Sequence, residues 1–253
     1  MRGHEANATV QEKACWSLRN IKADNEMRRQ AAVETGALPQ IDSAMRGHAA
    51  NAAVQEKACS ALVHITFCND AQGRTGAQVA VDVGALPQIV ATMRAHAANA
   101  TMQQLACVAL TSIILGDDAR AQAAAVAGAL PQIVAAMHAH AACTDVQQWA
   151  FWALFNFTVG KDVQRDARAQ AVVDASALPQ IVAAMHAHVA GASIQKQACW
   201  APGNFTAGND MRRQAAADAG ALPQIVAAMR AHAANAGVQE QGQRAHQLLQ
   251  LHA

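Results

Sequence analysis

Three pairs of tryptophan and asparagine, each four residues apart, are the residues of this chain best suited to hold a ligand. They are Trp16 with Asn20, Trp152 with Asn156, and Trp200 with Asn204. A spacing of four places both side chains on one face of a helix. An asparagine amide can donate to and accept from an extended peptide backbone, and the indole offers a flat wall to an aliphatic or cationic side chain. The pairs therefore predict a peptide-binding surface.

The same two positions in the other segments of the chain are less complete. They hold Ser60 and His64, Val108 and Ser112, and Arg244 and Leu248. His64 and Ser112 stand at the asparagine position of these pairs, and we count them as candidate peptide contacts. A continuous track along the whole chain is therefore not predicted.

The fourth segment is the most aromatic part of the chain. Trp149 lies three residues before Trp152, and Phe155 and Phe157 follow. Because aromatic anchors dominate interface energies, Trp149 is a further candidate contact and Trp152 is the predicted hot spot. The alternative interpretation is packing, with tryptophan filling gaps between alanine-rich helices and asparagine bonding to a neighbouring helix.

The charge beside the tryptophan position predicts the chemistry of the ligand. Glu12 and Glu56 precede that position by one turn, whereas Gln104, Gln148 and Lys196 occupy the same place later in the chain. Acidic residues that would select lysine or arginine are thus sparse. A ligand of neutral or mixed charge is predicted.

These pairs belong to a tandem repeat. The segment Gly-Ala-Leu-Pro-Gln-Ile begins at Gly36, Gly84, Gly128 and Gly220, and Ser176 replaces the glycine in a fifth copy. The copies are 48, 44, 48 and 44 residues apart, which is typical of helical solenoids. The repeat predicts one elongated all-α body.

Each repeat is predicted to form three helices: a short first helix, a second helix after the Gly-Ala-Leu-Pro corner, and a longer third helix. The first complete helix of the chain is a third helix. In the first copy, apolar residues from Val10 to Ile21 predict a long helix, and Asp24 and Asn25 predict a turn before a short helix over residues 27–34. Gly36 is predicted to be left-handed, and Pro39 fits the first turn of a helix that ends near His48.

This order of helices, with its Gly-Ala-Leu-Pro corner and Trp-x-x-x-Asn pairs, resembles the armadillo repeat family. The resemblance implies a right-handed superhelical solenoid whose third helices line a concave groove. The repeats predict five three-helix units, over residues 7–48, 51–96, 99–140, 143–188 and 191–232, and a polar capping helix over residues 235–253. The pairs also resemble those with which importin-alpha proteins bind an extended basic signal.

The N-terminal end lacks such a cap, because residues 1–4 match the end of a second helix at residues 45–48. A bare face of this kind predicts a neighbour, either further repeats of a longer solenoid or a second copy of the chain. A homodimer through the N-terminal end is therefore an alternative role. Asp42 stands where the other copies have valine, which predicts a partly exposed helix, and Pro202 predicts a kink.

Composition excludes several classes of function. A net charge of +1 argues against a nucleic-acid binder, and the tight pairs Arg28–Arg29 and Arg212–Arg213 are interpreted as solvated. No leader or membrane-spanning run is visible, which predicts a cytoplasmic protein with the nucleus as the alternative.

Cysteines recur at one repeat position, in Cys15, Cys59, Cys107 and Cys199, and are predicted to be small core residues. Cys68 and Cys143 are predicted to be free thiols.

Neither a metal nor a catalytic site is predicted. Histidines close every second helix, but stacked repeats lie roughly 10 Å apart, too far to share one ion with bonds near ~2 Å. Ser60 and His64 lack an orienting carboxylate. The sequence therefore predicts a noncatalytic, cofactor-free protein-binding scaffold, with self-assembly and nuclear-import adaptor as the alternatives.

Overall fold

A computed structural model describes residues 1, 3–20, 26–67, 71–160 and 163–250, except for the side chains of 71–73. Within these residues the chain forms sixteen helices and no strand, and it divides into two compact units, Met1–Gln132 and Ile133–Ala253. The helices are α1 Ala8–Arg19, α2 Glu26–Glu34, α3 Ala37–Gly47, α4 Ala52–Thr66, α5 Ala71–Asp82, α6 Ala85–Ala95, α7 Ala100–Ile114, α8 Asp118–Val126, α9 Ala129–Ala139, α10 Thr144–Thr158, α11 Arg165–Asp174, α12 Ala177–Ala187, α13 Ala192–Thr206, α14 Asp210–Asp218, α15 Ala221–Ala231 and α16 Ala236–Gln250.

The predicted order is confirmed: along the chain, a short first helix is followed by a second helix and then by a long third helix. In the N-terminal unit the third helices α1, α4 and α7 pack in succession, and in the C-terminal unit α10, α13 and α16 do the same. α1 is shorter than predicted, because it ends at Arg19. The predicted end at Ile21 and the turn at Asp24–Asn25 lie outside the described residues.

The corner before each second helix is left-handed, as the glycines predict. Gly36 has a φ of 75° and Gly220 a φ of 76°, while Ser176, in the fifth copy, adopts 64°. Ser176 is the one non-glycine residue with positive φ in the described part of the chain. The repeat therefore keeps its corner geometry at the cost of placing a Cβ where glycine is favoured.

Asparagine caps begin several third helices. The Oδ1 atoms of Asn51 and Asn99 accept hydrogen bonds from the amides of Val54 and Met102, each at 3.1 Å. Cys143 holds the same place before α10 with almost the same backbone angles, but its side chain makes no capping bond. α10 thus lacks a stabilising interaction that α4 and α7 have.

Replacing Cys143 by asparagine is expected to raise the free energy of unfolding by about 1 kcal/mol, because the new amide oxygen can accept from the α10 backbone. Urea denaturation followed by circular dichroism measures the change. Asn99→Ala should lose a similar amount, whereas Cys143→Ala should leave stability nearly unchanged. A Cys143→Asn protein no more stable than Cys143→Ala would contradict the capping argument.

The recurring cysteines are core residues, as predicted. Cys15, Cys59, Cys107 and Cys199 are fully buried and free, and burial raises the pKa of each thiol to about 12. Such thiols are almost entirely protonated near neutral pH and therefore inert. Cys143 is half-buried and free, and Cys68 lies outside the described residues.

The interpretation of both arginine pairs as solvated is wrong. Arg29 and Arg212 are only 2% exposed. Arg212 donates to the backbone oxygens of Asp166 at 3.1 Å and Ala207 at 3.3 Å, and it forms an ion pair with the Asp166 carboxylate at 3.0 Å. Since an arginine presents five fixed donors, it can satisfy backbone oxygens within the core that a smaller residue could not reach.

Two further departures from the repeat are Asp42 and Pro202, and the structure tests the prediction for Asp42. Asp42 is buried and accepts a hydrogen bond from Arg46 Nε at 2.7 Å, so the prediction of a partly exposed second helix is wrong. The ion pair is what makes burial of the carboxylate tolerable. Pro202 does not end α13, which continues as helix to Thr206.

Candidate functional site

The C-terminal unit brings two of the predicted tryptophans together. Trp152 on α10 and Trp200 on α13 have ring centroids 6.2 Å apart in an edge-to-face arrangement. Phe155 lies 6.0 Å from Trp152 and stacks on Trp200 at 3.6 Å. Because α10 and α13 are adjacent third helices, residues at one repeat position become neighbours in space. We call Trp152, Phe155 and Trp200 the aromatic cluster.

The aromatic cluster is only partly buried. Trp152 is 38% exposed, and Phe155 and Trp200 are half-buried. A tryptophan needed only to fill a gap would be covered, whereas this ring presents a large part of its face to the surface. The cluster therefore combines a rigid packed base with an accessible aromatic wall.

A cleft of about 290 Å³ lies beside the aromatic cluster. Its walls come from α10, α13 and α16 of the C-terminal unit, and its lining residues are Trp152, Ser193, Lys196, Gln197, Trp200 and Gln241. The Oε1 atoms of Gln197 and Gln241 are buried without a hydrogen-bond partner among the described residues. The cleft thus offers an apolar wall and one cation, and the unpaired oxygens of the two glutamines are buried in its wall.

The two asparagines of this unit bond within their own helices. Asn156 Nδ2 donates to the backbone oxygen of Trp152 at 2.8 Å, and Asn204 Nδ2 to that of Trp200 at 3.2 Å. Asn156 is only 3% exposed, while Asn204 is half-buried. Each Nδ2 thus commits one of its two hydrogens to its own helix. Trp149, on the same helix as Trp152, is half-buried.

The candidate residues of the N-terminal unit are not assembled in a comparable cluster. Trp16 is 47% exposed, and Asn20 is the exposed C-cap residue beyond the end of α1. Ser112 is 3% exposed, and its hydroxyl lies 2.7 Å from that of Thr66 and donates to the backbone oxygen of Ala109 at 2.8 Å. Its hydroxyl therefore joins α4 to α7 and does not face a ligand.

His64 is half-buried on α4. Burial lowers the pKa of His64, and the positive charge of Arg19 lowers it further. The imidazole is therefore neutral at physiological pH, since its ordinary pKa is already about 6.5. As a peptide contact it would act as a hydrogen-bonding group without charge.

A second set of polar residues is structural, and its role was not predicted from sequence. The glutamine that follows the first apolar residue of each third helix donates through Nε2 to two backbone oxygens of the preceding helix or turn. For Gln103 these are Met93 O at 2.9 Å and His96 O at 3.0 Å. The series is Gln11, Gln55, Gln103, Gln147, Gln195 and Gln239. The recurrence of glutamine at this repeat position is the sequence signal from which the role could have been found.

Several of the recurring histidines link successive repeats. The Nε2 atom of His96 lies 2.9 Å from the backbone oxygen of Ala49, and that of His188 lies 2.7 Å from Ala141 O. His48 and His232 make equivalent contacts. They are helix C-caps, as their sequence position indicates. No group of three or more potential metal ligands was found in the described part of the chain.

Comparison with known proteins identifies the family. A family model described as the LRRK2 ARM repeat matches residues 1–180. The chain belongs to the armadillo repeat family. No curated protein is similar enough to count as a match. Within the described residues, no helix is both long and apolar enough to span a bilayer.

Solved structures of similar fold include engineered armadillo repeat proteins. One engineered protein is 26% identical, with all of both chains covered and a TM-score of 0.82. A designed armadillo repeat protein, YIII(Dq.V1)4CPAF, solved in complex with the peptide (KR)4, is 25% identical, with 97% of each chain covered and a TM-score of 0.80. Computationally designed armadillo repeat proteins for modular peptide recognition give the same figures.

Proposed function

We propose that this armadillo repeat protein is a noncatalytic scaffold that binds an extended peptide segment of a partner protein. The observation that carries the proposal is the partly exposed aromatic cluster on adjacent third helices, with the cleft beside it. Aromatic residues that are rigid and partly exposed supply most of the binding energy in protein interfaces.

The geometry of the cluster favours an extended ligand. Trp152 and Trp200 stand on successive helices, so a chain that crosses both must run from one repeat to the next. The phenyl ring of Phe155 supports Trp200 from behind by stacking. Rings fixed in this way lose little side-chain entropy when a ligand binds, which lowers the cost of association.

The backbone of the ligand has a specific place to bond. Gln197 and Gln241 line the cleft, and rotation of either side chain would bring its buried, unpaired oxygen to a peptide N–H group. Pairing would then remove the free-energy cost of an unsatisfied buried acceptor. We assign to these two glutamines the role that the sequence suggested for Asn156 and Asn204. The designed proteins of similar fold made for peptide recognition support a peptide ligand.

Replacing Trp152 by alanine is expected to weaken peptide binding by at least tenfold, because a hot-spot tryptophan is worth about 2 kcal/mol or more. Peptides selected from a random displayed library on the intact protein serve as probes, and calorimetry gives their dissociation constants. Met211→Ala is the matched control, since it removes a large exposed apolar side chain from α14, away from the cluster.

Three outcomes would contradict this proposal. Equal affinity of the Trp152→Ala and Met211→Ala proteins would place the site elsewhere. Selection of lysine-rich peptides only, with binding that weakens steeply with salt, would favour a nuclear-import adaptor. A molar mass that rises with protein concentration, without any selected peptide, would favour self-assembly through the N-terminal end.

A further inference from the structure

The charge of the cleft differs from what a binder of basic peptides would need. Among the described residues, Lys196 is the one charged residue that lines the cleft, and no carboxylate lines it. We infer that the cleft selects a peptide carrying a carboxylate side chain, which Lys196 pairs with while an adjacent apolar side chain of the ligand lies on Trp152. This inference rests on the peptide-binding function proposed above.

Lys196 is available to a ligand. It is exposed, and within the described residues no ion pair or hydrogen bond of its ammonium group is found. Glu240, the acid nearest to Gln241 along α16, does not line the cleft. An anionic ligand group would therefore meet a cation that no carboxylate of the described residues neutralises.

The stem of Lys196 is packed against α16. A Cβ added at Gly237 would lie 3.0 Å from Lys196 Cδ and 3.3 Å from Cε, so the aliphatic chain rests on the bare glycine. Ser193 and Asp145 occupy the place of Gly237 in α13 and α10. The lysine is therefore held at the cleft by a feature of this repeat alone, and it would lose less freedom on binding than a fully solvated lysine.

The surroundings strengthen the ionic contact. The indoles of Trp152 and Trp200 form low-dielectric walls beside the lysine, and a charge pair gains energy as water is excluded. Third helices of the N-terminal unit carry Glu12 and Glu56 at the Lys196 position. A peptide carrying a carboxylate would be opposite in charge to (KR)4, the peptide in the complex of the designed protein of similar fold.

Three matched peptides test the inference: acetyl-Gly-Ser-Leu-Xaa-Leu-Ser-Gly-amide with glutamate, glutamine or lysine at Xaa. Titration followed by tryptophan fluorescence at low salt should show the glutamate peptide binding about tenfold tighter than the lysine peptide, as expected for a partly screened pair. Lys196→Glu should reverse this order of affinities. Lys196→Gln, which installs the residue that α10 has at the same repeat position, Gln148, should remove the difference between the peptides. Lys13→Glu makes the same change of net charge on α1 and should preserve the order.

Each result bears on the inference. Equal binding of all three peptides, or a preference that Lys13→Glu changes as much as Lys196→Glu, would overturn the charge selection and leave peptide binding intact. If none of the three peptides binds while library-selected peptides do, the predicted ligand class is wrong. Failure of both peptide sets would overturn the proposed function itself.

Discussion

Gln103→Glu is expected to lower the free energy of unfolding by about 3–5 kcal/mol at pH 7. Gln103 is 2% exposed, and its Nε2 donates to the backbone oxygens of Met93 and His96. The substitution is nearly isosteric, but it removes the donors and places a carboxylate against two carbonyl oxygens. Both carbonyls lose their partner, and a buried unpaired charge adds its own desolvation cost.

The loss should depend on pH in a defined direction. Burial and the two facing oxygens raise the folded-state pKa of the new carboxyl above its unfolded value of about 4.3. The unfolded chain therefore releases its proton first, and stability falls as pH rises from about 4.3 to the folded pKa. Below about pH 4 the protonated carboxyl donates one bond, and the deficit relative to the parent should be smallest.

Urea denaturation at several pH values measures this effect against a matched control. Gln104→Glu makes the same chemical change at the next, half-exposed position of α7, and it should cost less than about 1 kcal/mol at any pH. A similar loss in both variants would mean that acidic charge on α7, not the paired carbonyls, is responsible.

The sequence predicted the order of the helices and the corner between them well, because the signals that set them act over short distances along the chain. Gly36, Pro39 and the spacing of apolar residues act within one or two turns, so the corner and the helix order follow from backbone preferences alone. The burial of Cys15 and its equivalents also followed from recurrence. Asp42 and Arg212 were misjudged because a partner decides their burial: Arg46 for the first, and Asp166 together with Ala207 for the second.

The candidate site shows the same limit. Helix periodicity could place Trp152 and Asn156 on one face, and the repeat could bring Trp200 close, but neither could show where an amide hydrogen goes. Asn156 bonds back to the Trp152 carbonyl, whereas Gln197 and Gln241 keep unpaired oxygens. Such choices depend on the surroundings of each side chain in the folded protein, which the sequence pattern alone does not determine.

Phe157→Ala is expected to lower the free energy of unfolding by about 3–5 kcal/mol, through lost burial and the cavity left behind. Phe157 is fully buried on α10, and the same repeat position holds Ile65, Ile113 and Phe205, which are also fully buried. Every third helix from α4 to α13 thus carries a large, fully buried apolar side chain there, so Phe157→Ala leaves a void in the core.

The repeat itself supplies the control. Phe157→Ile installs the residue that α4 and α7 use at this position, so it should cost no more than about 1–2 kcal/mol if repacking is permitted. Because repeat arrays open locally, hydrogen exchange resolved by peptide should show Phe157→Ala weakening α10 and α11 before the N-terminal helices α4 and α7. Equal weakening throughout would mean that the chain unfolds as one cooperative body, and a loss under 1 kcal/mol would mean that neighbouring side chains collapse into the void.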